Sequence, residues 1–177
     1  MNQPTPSVPP SGAPRADFRQ AMAHLSAAVN VITTDGPLGR CGITASAVCS
    51  VTDTPPTVLV CINRSSAAHR TFEGNRQVCV NVLPGEHEDL ARHFAGFTKM
   101  AMEDRFALPV WDTGVLGVPV LRNALASIEG AIVDLKEVGS HSVMFVEAAR
   151  IRVRSDGDGL VYFSRNFHRV ARVAMPA

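Results

Sequence analysis

Between Gly42 and Thr52 the chain reads GITASAVCSVT, with no Lys, Glu or Arg in it. Taken with period two, Ile43, Ala45, Ala47, Cys49 and Val51 fall on one side, all small or apolar. Thr44, Ser46, Val48, Ser50 and Thr52 fall on the other, nearly all hydroxyls. A half-buried strand usually shows charge on its wet face, so this hydroxyl face has two readings. One is a mildly polar solvent face. The other is the wall of a groove for a flat polar ligand, read by hydroxyls and backbone N–H groups without fixed charge.

A second group follows at INRSSAAHRTF, residues 62–72. A strand runs into Asn63 and Arg64, and a helix opens at Ser65 and Ser66. The first turn of a helix points free N–H groups outward and favours an anion. Arg64 can add a forked, permanently charged donor, and Arg70 or Thr71 can join from the helix. Capping alone explains one serine; two serines beside an Arg suit a phosphate better. In GSHS (139–142) His141 sits in a turn, where it is either solvated or able to donate to an amide. Arg165 and His168 end a late strand and read as ordinary surface. The cysteines, at 41, 49, 61 and 79, are too far apart for CxxC or zinc spacing, so no metal site is expected. They read as reduced core thiols of a cytoplasmic protein. Neither GxGxxG nor GxxxxGK[ST] occurs, which removes Rossmann and P-loop phosphate binding.

The elements that must position these groups are short. DFRQAMAHLSAAV (17–29) has helical apolar spacing with Asp17 as N-cap. Strands are expected at NVITT, at 41–52, 57–63, 78–83, 124–135, 142–154 and 160–164. Helices are expected at 65–75, stopped by Gly74, and at 86–96. Residues 97–118 show no clean period and read as irregular. DGPLG (35–39) and DGDG (156–159) are turns. Direct hairpins dominate over βαβ units, so the expected class is mainly β with flanking helices: an antiparallel barrel or sandwich. At 19% charged residues the chain lies below the usual quarter, which points to extra buried surface such as a subunit interface. A net charge of +1 gives no reason to expect nucleic acid or an acidic membrane. Apolar runs are strand-sized, so no membrane span is expected. Residues 1–15, rich in Pro and Ser, read as a tail without a secretory signal. One domain is expected over 16–170 and a short tail over 171–177.

Several stretches together resemble the short-chain NAD(P)H:flavin oxidoreductases that serve two-component flavin-dependent monooxygenases. They are AAVNVITTDGP (27–37), GITASAVCSVTDTPPTVLVCINR (42–64), VNVL (80–83), MEDRF (102–106), VGSHSVMFVE (138–147) and LVYFSRNFH (160–168). The resemblance implies an FMN-binding split barrel, antiparallel and Greek-key-like, working as a homodimer. It implies that Thr44, Ala45, Ser46, Cys49, Ser50 and Val51 line the flavin ring and ribityl chain. Asn63, Arg64, Ser65, Ser66 and Thr71 would surround the ribityl and phosphate, and His141 would approach the nicotinamide. Two family features differ here: Ser140 stands where an acidic residue is common, and Phe167 where Tyr is common.

By that resemblance the expected activity is hydride transfer from NADH (or NADPH) to FMN or FAD, with reduced flavin passed to a separate monooxygenase. No dedicated acid–base residue is needed, because the redox chemistry belongs to the cofactors. Two other readings keep the same barrel. One holds FMN tightly and reduces another acceptor, such as a corrinoid or a metal centre. The other is a flavin- or haem-binding module without turnover.

Overall fold

The computed structural model describes residues 12–173. In chain order the elements are α1 (Arg15–Ala23), β1 (Ala27–Ala28), β2 (Asn30–Thr34), β3 (Cys41–Ala45), β4 (Val48–Asp53) and β5 (Pro56–Asn63). Next come α2 (Ala67–Asn75), β6 (Gln77–Val82), a single 3-10 turn at Gly85–His87, α3 (Glu88–Phe94) and α4 (Met102–Ala107). The chain continues with β7 (Trp111–Thr113), β8 (Pro119–Leu121), β9 (Ala126–Val138), β10 (His141–Val153), β11 (Gly159–Phe163) and β12 (Asn166–Val170). The expected tails fall partly on residues 1–11 and 174–177, which lie outside the described residues.

Seven strands form one antiparallel sheet in the order β3-β2-β6-β9-β10-β5-β4. Long β9 and β10 make a hairpin through Gly139 and Ser140, with Gly139 at φ +55° where a side chain would be strained. Bulges near Phe145/Val146 and Ala148/Arg150 increase the twist of that hairpin. The sheet curls around Ile32, Val60, Ile62, Phe72, Val80, Met144 and Val146, all nearly inaccessible. NVITT, β-branched after Asn30, is buried at all five positions of β2, as suits a strand covered on both faces. A second cluster, with Val31, Leu83, Leu90, Phe94 and Leu160, seats α3 against β2 and β11.

The run expected as one strand over 41–52 is two strands. It breaks at Ser46 and Ala47, and its halves join opposite ends of the sheet. β3 pairs with β2, and β4 pairs with β5. The hydroxyl face is therefore not continuous. Local alternation persists through the corner, but its two halves meet different neighbours.

Other boundaries moved for local reasons. The first helix starts at Arg15 behind Pro14 and has no side-chain cap, so Asp17 lies in its first turn. α2 runs through Gly74 to Asn75 and is closed by Arg76 at φ 63°, whose N–H donates to Phe72 O. Residues 97–118 hold α4 and β7, each too short to show a period. Among the described residues no helix is long and apolar enough to cross a membrane.

Candidate functional site

The two ends of the curled sheet do not close fully. β3 hydrogen-bonds to β2 alone, and its other edge faces β5 across a seam. A cavity of about 350 Å³ occupies it, lined by Ile43, Thr44, Ala45, Ser46, Ala47, Cys61, Ile62, Asn63, Ser66, Phe94, Ala95 and His141. An edge strand in a cavity offers a row of unpaired N–H and C=O groups. Such a row can read a flat amide-bearing ligand.

The seam continues in both directions. Past Ser46 it opens into a shallow region along Leu25, Ala28, Val48, Cys49, Leu59 and Cys61. Past Ile43 it passes Arg40, Gly42, Ser66, Thr71, Met102 and Arg105. Charge is divided sharply between the parts. Neither the middle nor the Cys49 side carries a carboxylate, Lys or Arg. The other end carries two guanidinium groups and no carboxylate. Burial pushes the Cys61 thiol above its ordinary pKa, so it stays protonated and uncharged near neutrality.

Individual side chains have distinct tasks. Thr44 Oγ1 donates to Ala91 O at 2.7 Å, which ties β3 to α3 and commits its proton. Among the described residues the hydroxyls of Ser46, Ser50 and Thr71 have no hydrogen-bond partner. Asn63 Oδ1 accepts from Ser65 N at 3.0 Å and from Ser65 Oγ at 2.9 Å, which turns the chain from β5 into α2. Ser66 caps α2 by accepting from Ala68 N at 3.3 Å, so its own O–H proton remains free to donate. His69 Nε2 and Ser142 Oγ lie 2.8 Å apart and anchor α2 to β10. His141 stands opposite Asn63 in the β10–β5 register, with Nδ1 2.9 Å from Ser140 Oγ.

Of the residues expected from sequence, Thr44, Ala45, Ser46, Asn63, Ser66 and His141 meet in the middle of the seam. Thr71 lies at the cationic end and Cys49 at the opposite side. Ser50, Val51, Arg64 and Ser65 are not among the lining groups. Ser50 and Val51 lie on exposed β4. Arg64 is turned to Glu137, 3.0 Å away, because the Asn63 turn redirects the chain just before it. The cations at the seam are instead Arg40 and Arg105. Arg105 donates to Met100 O through Nε and Nη2, at 2.9 and 2.7 Å, and lies 5.7 Å from the Phe94 centroid. Its place inside MEDRF was the available signal. Cys61, read in sequence as a core thiol, also lines the seam, with Phe94 and Ala95 from the end of the third helix. Among the described residues no three His, Cys, Asp or Glu side chains cluster as metal ligands.

A flavin fits this donor set: uncharged hydroxyls and strand edge for the ring, and cations with a capped helix end for a phosphate. The sequence model of a family described as "Flavin reductase like domain" matches residues 22–171. The 4-hydroxyphenylacetate 3-monooxygenase reductase component of Pseudomonas aeruginosa is 61% identical over 153 residues, covering 86% of this chain and 90% of that protein. An FMN reductase (NADH), RutF, of Yersinia enterocolitica is 50% identical over 175 residues, covering 96% and 95%. Among solved structures, the Streptomyces globisporus NADH:FAD oxidoreductase SgcE6, in complex with NAD and FAD fragments, superposes with TM-score 0.82 at 28% identity. That match covers 97% of this chain and all of the other.

Proposed function

The chain belongs to the flavin reductase like domain family, and from that premise we propose that the seam between β3 and β5 is where it reduces flavin. A reduced nicotinamide gives up a hydride, and reduced flavin is supplied to a separate monooxygenase. The carrying observation is the division of charge along the seam: neutral beside Ser46 and cationic beside Thr71. When bound, the flavin supplies the two-electron chemistry.

The chain's own residues bind and orient. The β3 edge and Ser46 hold the ring. Ser66, Thr71 and Arg105 hold the phosphate. The seam would hold flavin and nicotinamide together, which would convert an encounter in solution into a local transfer. Ser46, Cys49, Asn63 and His141 are solvent-exposed, so the seam opens to water and favours a flavin that exchanges. The reading includes a homodimer, which exposed surface supports. β4 is exposed along nearly its whole length, and Phe18, Met22 and Leu25 of the α1 segment, together with Ile151 and Val153 of β10, are uncovered. The free thiols fit the reducing cytoplasm.

The test is nicotinamide oxidation followed with FMN, FAD and riboflavin. Activity above the blank is expected with NADH; none with any flavin defeats the reading. Riboflavin has no phosphate, so it separates the two ends of the seam. Ser66→Ala removes a hydroxyl and a cap that contributes about 1 kcal/mol. It is expected to raise KM for FMN about fivefold and leave that for riboflavin as it was. Equal effects on both would detach Ser66 from the phosphate.

His141 positions the nicotinamide. His141→Ala is expected to raise KM for NADH about tenfold, while flavin affinity stays level. Unchanged nicotinamide kinetics would remove His141 from the site. NADPH run beside NADH decides the donor.

A further inference from the structure

The seam is a wedge with three sides. Its apex is the corner at Ser46 and Ala47, and β3 and β5 are its long sides. Helix α2 forms the third. It leaves the end of β5 at Ser66 and reaches the turn between β2 and β3 at Asn75. Its nine residues, at ~1.5 Å each, span about 13 Å.

Buried polar side chains fasten both ends of α2, and neither of them lines the seam. At the far end Asn75 Oδ1 accepts from Leu38 N at 2.9 Å. Its Nδ2 donates to Gly39 O at 2.8 Å and to Thr34 Oγ1 at 3.2 Å. These partners are the last residue of β2 and the turn that leads into β3. At the near end His69 Nε2 meets Ser142 Oγ on β10, the strand paired with β5. Glu73 Oε2 lies 4.0 Å from His69 Nδ1. A carboxylate on that side favours the proton on Nδ1, so Nε2 accepts and the Ser142 hydroxyl donates. Ser, His and Glu in that order resemble a hydrolytic triad. Ser142 is fully buried, however, so no substrate reaches it and the set can only hold. Phe72 and Ala68 press the same helix into the core, a contact without direction. The hydrogen bonds add direction and fix where α2 lies.

Its placement matters because of what it carries. Ser66 and Thr71 reach the seam from α2, on the side facing Gly42 and Ile43 of β3. The gap between the phosphate seat and the ring seat is therefore the gap between α2 and β3. We propose that Asn75 and His69 are positioning residues for flavin, acting through α2. Together they hold Ser66 and Thr71 at the spacing one ligand needs to reach both seats. The proposal rests on the flavin reading above and extends it to residues outside the seam. A small displacement is costly there, because a ligand must satisfy both seats at once.

FMN and riboflavin share the ring, and only FMN carries the phosphate, so their two KM values read the spacing. At saturating NADH, Asn75→Ala is expected to raise KM for FMN about fivefold. KM for riboflavin and kcat with either flavin should stay within a factor of about two. His69→Leu is expected to do the same. His69→Gln, which puts an amide where Nε2 stood, should restore the FMN value. A merely structural role would lower the active fraction, and so kcat for both flavins alike, and leave both KM values in place. A second measurement uses the wild-type protein and needs no variant to fold. If correct docking of α2 favours the phosphate, the phosphate favours docking in return. Hydrogen exchange at the Leu38 amide, held by Asn75 Oδ1, is expected to slow about fivefold with FMN and to stay level with riboflavin. Either an unchanged ratio of the two KM values in folded Asn75→Ala, or Leu38 exchange that FMN leaves alone, overturns the positioning role and leaves flavin reduction standing. No nicotinamide oxidation with any flavin overturns the flavin reading, and the positioning role with it.

Discussion

Ser46→Asp is expected to raise KM for FMN about a hundredfold, equivalent to roughly 2.8 kcal/mol of binding. Ser46 is exposed and lines both the middle of the seam and its Cys49 side. Neither part holds a carboxylate. A new one meets the ring where charge is disfavoured twice over. It loses water when the ligand covers it. It also opposes the negative charge that a flavin gains on reduction. Because the position is exposed, the melting temperature should not move, so lost activity cannot be ascribed to unfolding. Ser46→Asn keeps a polar group without charge and should stay within about threefold of wild type. A Ser46→Asp protein with ordinary FMN kinetics would show that the ring lies elsewhere.

Gly42→Val is expected to cost about 3 kcal/mol of stability. A Cβ built at Gly42 would lie 2.5 Å from Phe94 Cε1 and 3.1 Å from Phe106 Cζ. The Phe94 ring has no route of retreat. It is 4% exposed, with Phe106 and Trp111 packed edge-on at 5.2 and 5.6 Å. Relief must come from moving α3, which carries one wall of the seam. At about 2–4 °C per kcal/mol for a chain of this size, the melting temperature should fall by about 6–12 °C. Gly42→Ala should do less. Combining it with Phe94→Leu, which frees room, should restore part of the loss, a coupling that contacting residues show. Wild-type melting of Gly42→Val would mean that α3 does not rest on β3 as described.

These two residues also mark what the sequence could and could not disclose. The hydroxyl run around Ser46 was visible because strand alternation is local and the lack of charge is a matter of composition. The corner inside that run was not. Ser46 and Ala47 include neither Gly nor Pro, and the alternation carries on through them. Each half pairs with its own neighbour in sequence, β3 with β2 and β4 with β5, and two separate hairpins leave the same alternation as one long strand. Helix α2 was legible from its Ser66 cap, but its end at Arg76 was not, since a left-handed Arg leaves no compositional mark. Arg64 shows the limit of adjacency. It follows the strand directly, yet the Asn63 turn sends it to Glu137. Arg40 and Arg105 line the seam instead, from a hairpin and a six-residue helix too short for periodicity to reveal. Gly42 looked like one more small residue, because only the packed Phe94 ring gives it a reason.

The corner at Ser46 and Ala47 has a mechanical consequence. It is a covalent strap across one end of the gap between β3 and β5, reinforced by the Cys61 N–H to Ala47 O bond at 3.0 Å. Any widening must therefore pivot there, like a hairpin held at its bend. Compliance grows with distance from that pivot and is greatest beside Arg40. A flavin seated as proposed would free its charged tail before its rings, and its rate of departure would answer to salt more than to the ring's own contacts.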